Sequence, residues 1–184
     1  RLGVPVYVNI ENVIASMALA QIAGATAEEI KTAMASFGGV DRRFDFKIKN
    51  DHLAFLSDYA HHPEEIRKSI TSLKALYPNR KITAVFQPHL YTRTRDFYKE
   101  FAESLSLLDE VILLDIYPAR ELPIPGVTSR LIYDNLRPDM EKTLCTKEEL
   151  LDLLKKKHLE VLVTLGAGDI DNFVPQIYEM LKDR

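Results

Sequence analysis

The spacing of apolar residues predicts that the chain begins with helices. An Ala-rich stretch from 12 to 22 has a helical pattern and is followed by a glycine. Thr26 then opens a second helix, with Glu29 three residues later in a capping-box arrangement. This helix ends at Phe37, before two glycines. We therefore place a domain boundary near residue 40.

After that boundary the pattern predicts a β-hairpin and then alternating helices and strands. Phe44, Phe46 and Ile48 alternate with polar residues, as in a half-buried strand, and 53–57 follows as the return strand. We expect further helices at 64–77, 96–108, 129–136, 147–157 and 174–182, and further strands at 81–87, 110–116, 141–145 and 160–165. Nearly continuous apolar strands such as 82–86 are typical of strands buried on both faces. The predicted fold is α/β and Rossmann-like: a mainly parallel sheet flanked by helices, with an N-terminal β-hairpin and a preceding helical segment.

Composition narrows the class of protein. The formal net charge of −3 over 184 residues argues against nucleic-acid and membrane-surface binding, which need a clustered basic excess. The lysine run at 155–157 is interpreted as a solvated helix end. Because Cys145 is the single cysteine, an internal disulfide is excluded and a cytoplasmic location is favoured. Since the chain opens on Arg1 and runs almost at once into a helix, we expect part of the parent protein to precede it.

Four polar clusters follow predicted strands. They occupy residues 58–63, 87–95, 115–126 and 166–169. In an open parallel sheet, ligands bind beyond the carboxyl ends of the strands. We therefore expect the four clusters to face one cleft.

The first cluster, Asp58-Tyr59-Ala60-His61-His62-Pro63, combines a carboxylate, a phenol and two imidazoles. Pro63 suits the first position of a helix, whose N-terminus favours an anion nearby. One alternative is a polar loop in which His62 merely caps that helix. Another is a zinc site formed by His61, His62 and His89, although adjacent histidines seldom both reach one ion.

The second cluster indicates an anionic ligand. His89 is followed by Arg93 and Arg95, and arginine offers a planar fork suited to carboxylate or phosphate. Two arginines at a helix N-terminus oppose the helix dipole. A ligand that offsets this cost is favoured over a merely exposed helix end.

The last two clusters leave alternatives open. Arg120 and Glu121 lie in a Pro-stiffened loop that equally suits a rigid connector with a surface ion pair. Gly166 and Gly168 resemble a phosphate turn, but a tight turn that lets a strand and a helix pack closely fits the same residues. The sequence contains neither a G-x-x-x-x-G-K-[ST] phosphate loop nor a G-x-S-x-G nucleophile elbow. The 184 residues therefore contain no evident binding motif for a triphosphate.

In their order along the chain, the clusters resemble motifs of the Mur ligase family, and of its alanine-adding members in particular. The motifs are F-G-G-V-D-R-R-F-D (37–45), D-Y-A-H-H-P (58–63), F-Q-P-H-L-Y-T-R-T-R-D (86–96), Y-P-A-R-E-L-P-I-P-G-V (117–127) and L-G-A-G-D-I (165–170). The second of these is shared among Mur ligases. The third is more specific and separates the alanine-adding enzymes from a relative that reattaches recycled peptides. Residues 1–40 look like the end of the family's central ATPase domain, and 41–184 look like its complete carboxyl-terminal domain.

The resemblance implies ATP-dependent amide formation in bacterial peptidoglycan synthesis. The carboxylate of UDP-N-acetylmuramate becomes an acyl phosphate, the amine of L-alanine attacks it, and Mg²⁺ offsets the phosphoryl charge. In this family the central domain supplies the phosphate loop and most metal contacts, and the carboxyl-terminal domain closes over it. The chain alone is then expected to be inactive. The alternatives are another Mur-type ligase, which adds a different residue or a preassembled peptide, and a nucleotide- or anion-binding module without catalysis.

The resemblance also implies a nucleotide-binding set. Asn9 and Asn12 match an asparagine pair near the adenine, because an amide can both donate to and accept from a purine edge. Helix capping is the alternative for both. Arg43 matches an arginine that approaches the ATP phosphates on closure, and Asp58 matches an aspartate associated with the ribose.

A second set lies around the amino acid in the family. The matching residues are Tyr59, His61 and Arg93, with His89 placed beside them. The family commonly has an arginine directly after the histidine of its Pro-His motif, and here that position is Leu90. The two-arginine clamp of the family is therefore in doubt, and Arg95 or Arg120 is the candidate to compensate.

Overall fold

The computed structural model describes the chain from residue 7 to residue 183, with side chains from residue 10 onward. Two helices come first, α1 (Tyr7–Ile22) and α2 (Ala27–Ser36). The α/β part follows with β1 (Asp45–Lys49), β2 (Ala54–Asp58), α3 (Pro63–Leu76), β3 (Ile82–Phe86), α4 (Tyr91–Leu105), β4 (Glu110–Leu113), α5 (Arg130–Asn135), β5 (Glu141–Leu144), α6 (Lys147–Lys155), β6 (Val161–Leu165), a 3₁₀ turn (Asp169–Phe173) and α7 (Val174–Leu181).

The strands form one six-stranded sheet in the order β1-β2-β6-β3-β4-β5. Only the β1–β2 hairpin is antiparallel, and every other neighbouring pair is parallel. All residues of β2, β3, β4 and β6 are buried, because helices cover both faces of the sheet. The predicted α/β fold with an N-terminal hairpin is confirmed.

The helices divide between the two faces, and this division locates a crevice. One face is packed by side chains of α3, α4 and α5, among them Ile66, Ile70, Phe101, Leu105 and Ile132. The other is packed by α6 and α7 through Leu150, Leu154, Val174, Ile177 and Leu181. Chain leaving β2 and β3 therefore turns to one face, and chain leaving β6, between them, turns to the other. Such a reversal opens a crevice beyond the carboxyl ends of these strands.

Most element bounds agree with the prediction, and the capping boxes of α2 and α6 are confirmed. The main differences are at two helix starts: α1 begins at Tyr7 rather than at residue 12, and α4 begins at Tyr91 rather than at residue 96. Phe97 has non-helical angles (φ −123°, ψ 16°), so the first turn is set off from the regular helix by a kink. Arg93 and Arg95 consequently lie within α4, and the helical backbone fixes the direction in which their side chains leave it.

The helices α1 and α2 expose an apolar groove of about 810 Å³. Ile14, Leu19 and Ile22 on α1 are all largely exposed. An ion pair of 3.2 Å between Glu11 and Lys68 joins α1 to α3. Despite this apolar surface, the described residues include no helix that is both long and apolar enough to cross a membrane.

A buried ion-pair network lies at the opposite end of the sheet from the crevice. Glu110, which is 1% exposed, lies 3.0 Å from the Lys81 ammonium and also pairs with Lys157, and it accepts a hydrogen bond from the Thr83 hydroxyl. Burial alone raises the pKa of Glu110, but the hydrogen bonds and charges of the two lysines outweigh it and lower the net pKa. The interpretation of residues 155–157 as only a solvated helix end is therefore wrong for Lys157.

Candidate functional site

The four polar clusters meet in the crevice, in a chain of aromatic contacts. The ring centroids are 5.2 Å apart for Tyr59 and His61, 6.1 Å apart for His61 and His89, and 5.6 Å apart for His89 and Tyr117, which are stacked. Gly168 in turn lies directly against the Tyr117 side chain. One residue from each cluster thus reaches a common surface, because the carboxyl ends of the parallel strands share one edge.

The segment before β1 brings two cations over Tyr59. The guanidinium carbons of Arg42 and Arg43 lie 4.7 Å and 5.3 Å from the centre of the Tyr59 ring. Arg42 is held in place by Asp171 at 3.0 Å, and its carbonyl oxygen accepts the Tyr59 N–H at 2.6 Å. Arg43 is exposed. Arg42 is therefore the anchor, and Arg43 is the cation available to a ligand; sequence reasoning missed the anchor, although the Arg-Arg pair was visible.

Asp58 closes β2 and is turned inward. It is 9% exposed, and its Oδ1 accepts the Ala60 N–H at 3.3 Å. Burial raises the pKa of Asp58, and the hydrogen bond from Ala60 together with other polar neighbours and the charge of Arg43 only partly offsets this effect. The carboxylate therefore shapes the turn, and only a small part of the residue faces the crevice.

His61 is held in one tautomer by the backbone. Its Nδ1 lies 2.9 Å from the Tyr59 carbonyl oxygen, which can only accept, so Nδ1 carries the proton and Nε2 is the acceptor in the neutral ring. Glu65 accepts the N–H groups of His61 and His62 at 3.0 Å and 3.2 Å and so caps α3. The His62 ring packs on Phe97, with the two ring centroids 5.2 Å apart. Among the described residues, no three His, Cys, Asp or Glu side chains are grouped to hold a metal ion.

His89 and Arg93 form the second part of the site. Arg93 Nη1 lies 3.5 Å from His89 Nδ1, one helical turn away. Burial lowers the pKa of His89, the charges of Arg93 and His61 lower it further, and Glu121 partly offsets these effects. The imidazole is therefore neutral at physiological pH, and its Nδ1 lone pair faces the Arg93 guanidinium, which can only donate.

Leu90 stands where the family commonly has a second arginine, and it contributes a backbone hydrogen bond. Leu90 has a φ of 75°, a conformation that side-chain-bearing residues rarely adopt, and its N–H donates to the Tyr117 carbonyl oxygen at 2.9 Å. Of the two candidate substitutes, Arg95 is paired at 2.7 Å with the neighbouring Asp96 on an exposed helix surface. Arg120 is exposed in the loop after β4. Arg93 is the arginine that contacts the His89 side chain.

Close packing accounts for the two glycines after β6. A Cβ on Gly166 would lie 2.8 Å from the Gln87 carbonyl oxygen, and one on Gly168 would lie 2.7 Å from the Tyr117 Cβ. The Gln87 side chain occupies the space between the loops and donates to Asp169 Oδ1 at 2.7 Å. The geometry favours the tight-turn interpretation over a phosphate turn. Gln87, which sequence reasoning did not single out, ties the loops after β3 and β6 together.

The asparagine pair lies on α1. The Asn9 side chain is outside the described residues, and Asn12 is exposed. Both positions are inside the helix, which begins at Tyr7, so neither residue is its N-cap. The capping alternative is wrong for this helix, and the nucleotide role stays a prediction.

The chain is similar in sequence and in fold to known proteins. Residues 42–168 match the family model described as Mur ligase, glutamate ligase domain. The chain belongs to the Mur ligase family. This Mur ligase chain is 73% identical, over its whole length, to the UDP-N-acetylmuramate–L-alanine ligase of Phocaeicola vulgatus, of which it covers 40%. It thus spans about 40% of the length of the curated relatives that it matches. The predicted family is confirmed.

Solved structures show the same relationship. The UDP-N-acetylmuramate–alanine ligase of Thermotoga maritima has a TM-score of 0.79 and 28% identity, covering 99% of the Mur ligase chain and 39% of its own. A murein peptide ligase from Psychrobacter arcticus has a TM-score of 0.68 and 16% identity, covering 96% of this chain and 37% of its own. The second similarity concerns the fold alone.

Proposed function

We propose that this chain is the carboxyl-terminal part of an ATP-dependent ligase that joins L-alanine to the carboxylate of UDP-N-acetylmuramate. The observation that carries the proposal is the meeting of His61, His89 and Arg93 in one crevice. These groups suit a small amino acid, because a guanidinium binds a carboxylate and a neutral imidazole accepts a proton. The identity to alanine-adding relatives along the whole chain supports the same substrate.

Within this proposal, Arg93 binds the carboxylate of L-alanine. The neutral His89 lies beside it with its Nδ1 lone pair facing the guanidinium, which can only donate. The alanine ammonium group must lose a proton before it attacks, and a free imidazole lone pair can take that proton. His61 presents its Nε2 on the same surface, since its Nδ1 is held by the backbone. Tyr59 closes this side of the site under the two arginine side chains. Arg120 has no role in this arrangement.

The nucleotide would meet the same crevice from the other side. Arg43 is exposed above Tyr59, so it fits a phosphate group of ATP, with Asp58 below it and Asn9 and Asn12 near the adenine. Because the described residues offer no grouped metal ligands, Mg²⁺ would be held mainly by the central domain. When bound, the ion would offset the charge of the transferred phosphoryl group.

The division of the chain follows from this function. Residues 1–40 would be the end of the central ATPase domain, and 41–184 the carboxyl-terminal domain. The exposed apolar groove of α1 and α2 supports the first assignment, and the family match that begins at residue 42 supports the second. The partners are then UDP-N-acetylmuramate, L-alanine and the other domains of the same protein, in the bacterial cytoplasm, without nucleic acid or membrane.

The full-length parent protein tests the proposal. ADP release should require UDP-N-acetylmuramate and L-alanine together, and the product should be their amide, identified by mass spectrometry. A preassembled peptide as the better acceptor would indicate a peptide-reattaching ligase. Nucleotide binding without any amide product would indicate a binding module.

Residues 1–184 on their own are expected to show no alanine-dependent ATP hydrolysis, because their sequence has no phosphate loop. The measurement is ADP release by the purified chain, with the full-length protein as the positive control. Turnover by the isolated chain at more than background rate would contradict the assignment of the catalytic groups to the other domains.

Replacing Asp58 by asparagine is expected to stabilise the chain and to weaken its use of ATP. Since the folded pKa of Asp58 is raised above the ordinary 3.8, ionised Asp58 costs stability at every pH above the folded value. The cost disappears once the pH falls below 3.8, where both states are protonated. Asparagine keeps an oxygen that can accept the Ala60 N–H.

Thermal unfolding at neutral pH should therefore show a higher midpoint for Asp58→Asn, and the difference should vanish in acid. In the full-length protein, the same variant should raise the KM for ATP by about tenfold, roughly 1.4 kcal/mol, and change the KM for UDP-N-acetylmuramate less. A lower midpoint at neutral pH, or equal effects on both KM values, would argue against the role given to Asp58.

A further inference from the structure

The N-terminus of α4 is capped differently from those of three other helices. In α2, α3 and α6, a glutamate three residues after the N-cap accepts a backbone N–H of that N-cap. In α4 the N-cap is Leu90, whose side chain has no acceptor, and the first turn contains no acidic residue. It carries Arg93 instead, and Arg95 follows directly after it; both charges oppose the helix dipole.

Glu121 supplies the missing acceptor from a distant loop. Its Oε2 accepts the Thr92 N–H at 2.9 Å, and its Oε1 accepts the Thr92 hydroxyl. These hydrogen bonds lower the pKa of Glu121, so the carboxylate is ionised at neutral pH. The carboxylate therefore satisfies a free N–H of α4 and places a negative charge where the dipole favours one.

Further bonds join the same two loops. The Leu90 N–H donates to the Tyr117 carbonyl oxygen at 2.9 Å, and the Tyr117 N–H donates to the Pro88 carbonyl oxygen at 2.8 Å. The His89 ring stacks on Tyr117. A cap within α4 would stabilise the helix and leave the loop free. A cap from Glu121 makes the loop and the first turn of α4 one unit, and Arg93 is the residue next to the capped Thr92.

We propose that Glu121 is a positioning residue for the amino-acid site: by holding Thr92 it directs Arg93 to the side of the His89 ring. This inference rests on the proposed function, because it takes Arg93 as the group that binds the carboxylate of L-alanine. Glu121 itself does not touch the substrate. Both of its carboxylate oxygens bond to Thr92 instead.

Steady-state kinetics of the full-length protein test the proposal. Glu121→Ala should raise the KM for L-alanine about tenfold, in keeping with the loss of a helix cap, while kcat and the KM for UDP-N-acetylmuramate change less than threefold. Glu121→Gln should restore part of the alanine KM, because the amide oxygen still accepts the Thr92 N–H. Thr92→Val should raise the KM for L-alanine less than Glu121→Ala does. The matched control is Glu100→Ala, which removes an exposed carboxylate from α4, the helix that carries Thr92.

A double-mutant cycle separates positioning from general stabilisation. The effect of Glu121→Ala on the alanine KM should be smaller in a Thr92→Val background, because one of the two bonds is already absent. A lower kcat at unchanged alanine KM would indicate loss of folded enzyme and would overturn the proposal, as would full additivity. If the unmodified full-length protein fails to use L-alanine, the proposed function fails; if it is active and Glu121→Ala behaves as Glu100→Ala does, the inference alone fails.

Discussion

Replacing Arg93 by alanine in the full-length protein is expected to raise the KM for L-alanine steeply and to lower kcat/KM. Truncating one partner of a buried charged contact costs about 2–5 kcal/mol, and each 1.4 kcal/mol is a factor of ten. The expected loss in kcat/KM is therefore between about 30-fold and several thousandfold. The measurement is the initial rate of ADP release as a function of L-alanine concentration.

The size of this effect follows from the position of Arg93. The residue is half-buried on a capped helical turn, and its guanidinium lies 3.5 Å from the neutral His89 ring. Neither Arg95 nor Arg120 replaces it, because one is paired with Asp96 and the other is exposed in a loop. A carboxylate at this place would find Arg93 as its principal cation.

Arg95→Ala is the matched control, because it removes the same side chain two positions further along α4. Arg95 is largely exposed and bound to Asp96, and exposed ion pairs contribute roughly 0–1 kcal/mol, so kcat/KM should change less than about fivefold. Equal losses for the two variants would mean that general positive charge, and not the geometry of Arg93, serves the site. An unchanged rate for Arg93→Ala would remove this residue from the amino-acid site.

Replacing Glu110 by glutamine is expected to destabilise residues 1–184 by about 2–3 kcal/mol at neutral pH. Removing one partner of a buried ion pair costs about 3–5 kcal/mol. The expected loss lies at or below the bottom of that range because Lys81 and Lys157 are partly exposed and can regain water. Urea unfolding of the two chains measures the difference. Glu141→Gln is the control: Glu141 pairs with Lys81 at 2.8 Å but is largely exposed, so its loss should cost less than about 1 kcal/mol.

The same variant has a defined pH dependence. The net pKa of Glu110 is lowered below the ordinary 4.5, so its contribution is present in full above pH 4.5 and is lost as the pH falls through the folded pKa. The difference in unfolding free energy between the two chains should therefore shrink in acid. A constant difference between neutral and acidic pH would show that packing, and not the charge of Glu110, accounts for the loss.

Local pattern was sufficient for the architecture of this protein. Apolar runs such as 82–86 and 161–165 indicated strands buried on both faces, and this property requires a parallel sheet between helices. The edge at which the polar clusters would meet followed from that topology alone. The capping boxes at Thr26 and Thr146 were equally visible, because all their groups lie within four residues.

Contacts between distant segments were beyond the reach of local pattern. Glu121 lies 29 residues from the Thr92 that it caps, and Lys157 lies 47 residues from Glu110. Nothing in the neighbouring sequence distinguishes either residue from a solvated charge. The start of α4 was placed late for a related reason, since the carboxylate that caps its first turn comes from the Glu121 loop and not from a residue within the helix.

The sequence by itself therefore determined the fold, the family motifs and the edge of the sheet that carries the crevice, because these depend on residue spacing along single elements. Only the tertiary structure decided which charges are free. It assigned Arg42 to Asp171, Arg95 to Asp96 and Glu121 to Thr92, and it left Arg43 exposed and Arg93 beside His89. The physical reason is that the state of a charged side chain depends on its partners in space, and folding brings these from anywhere in the chain.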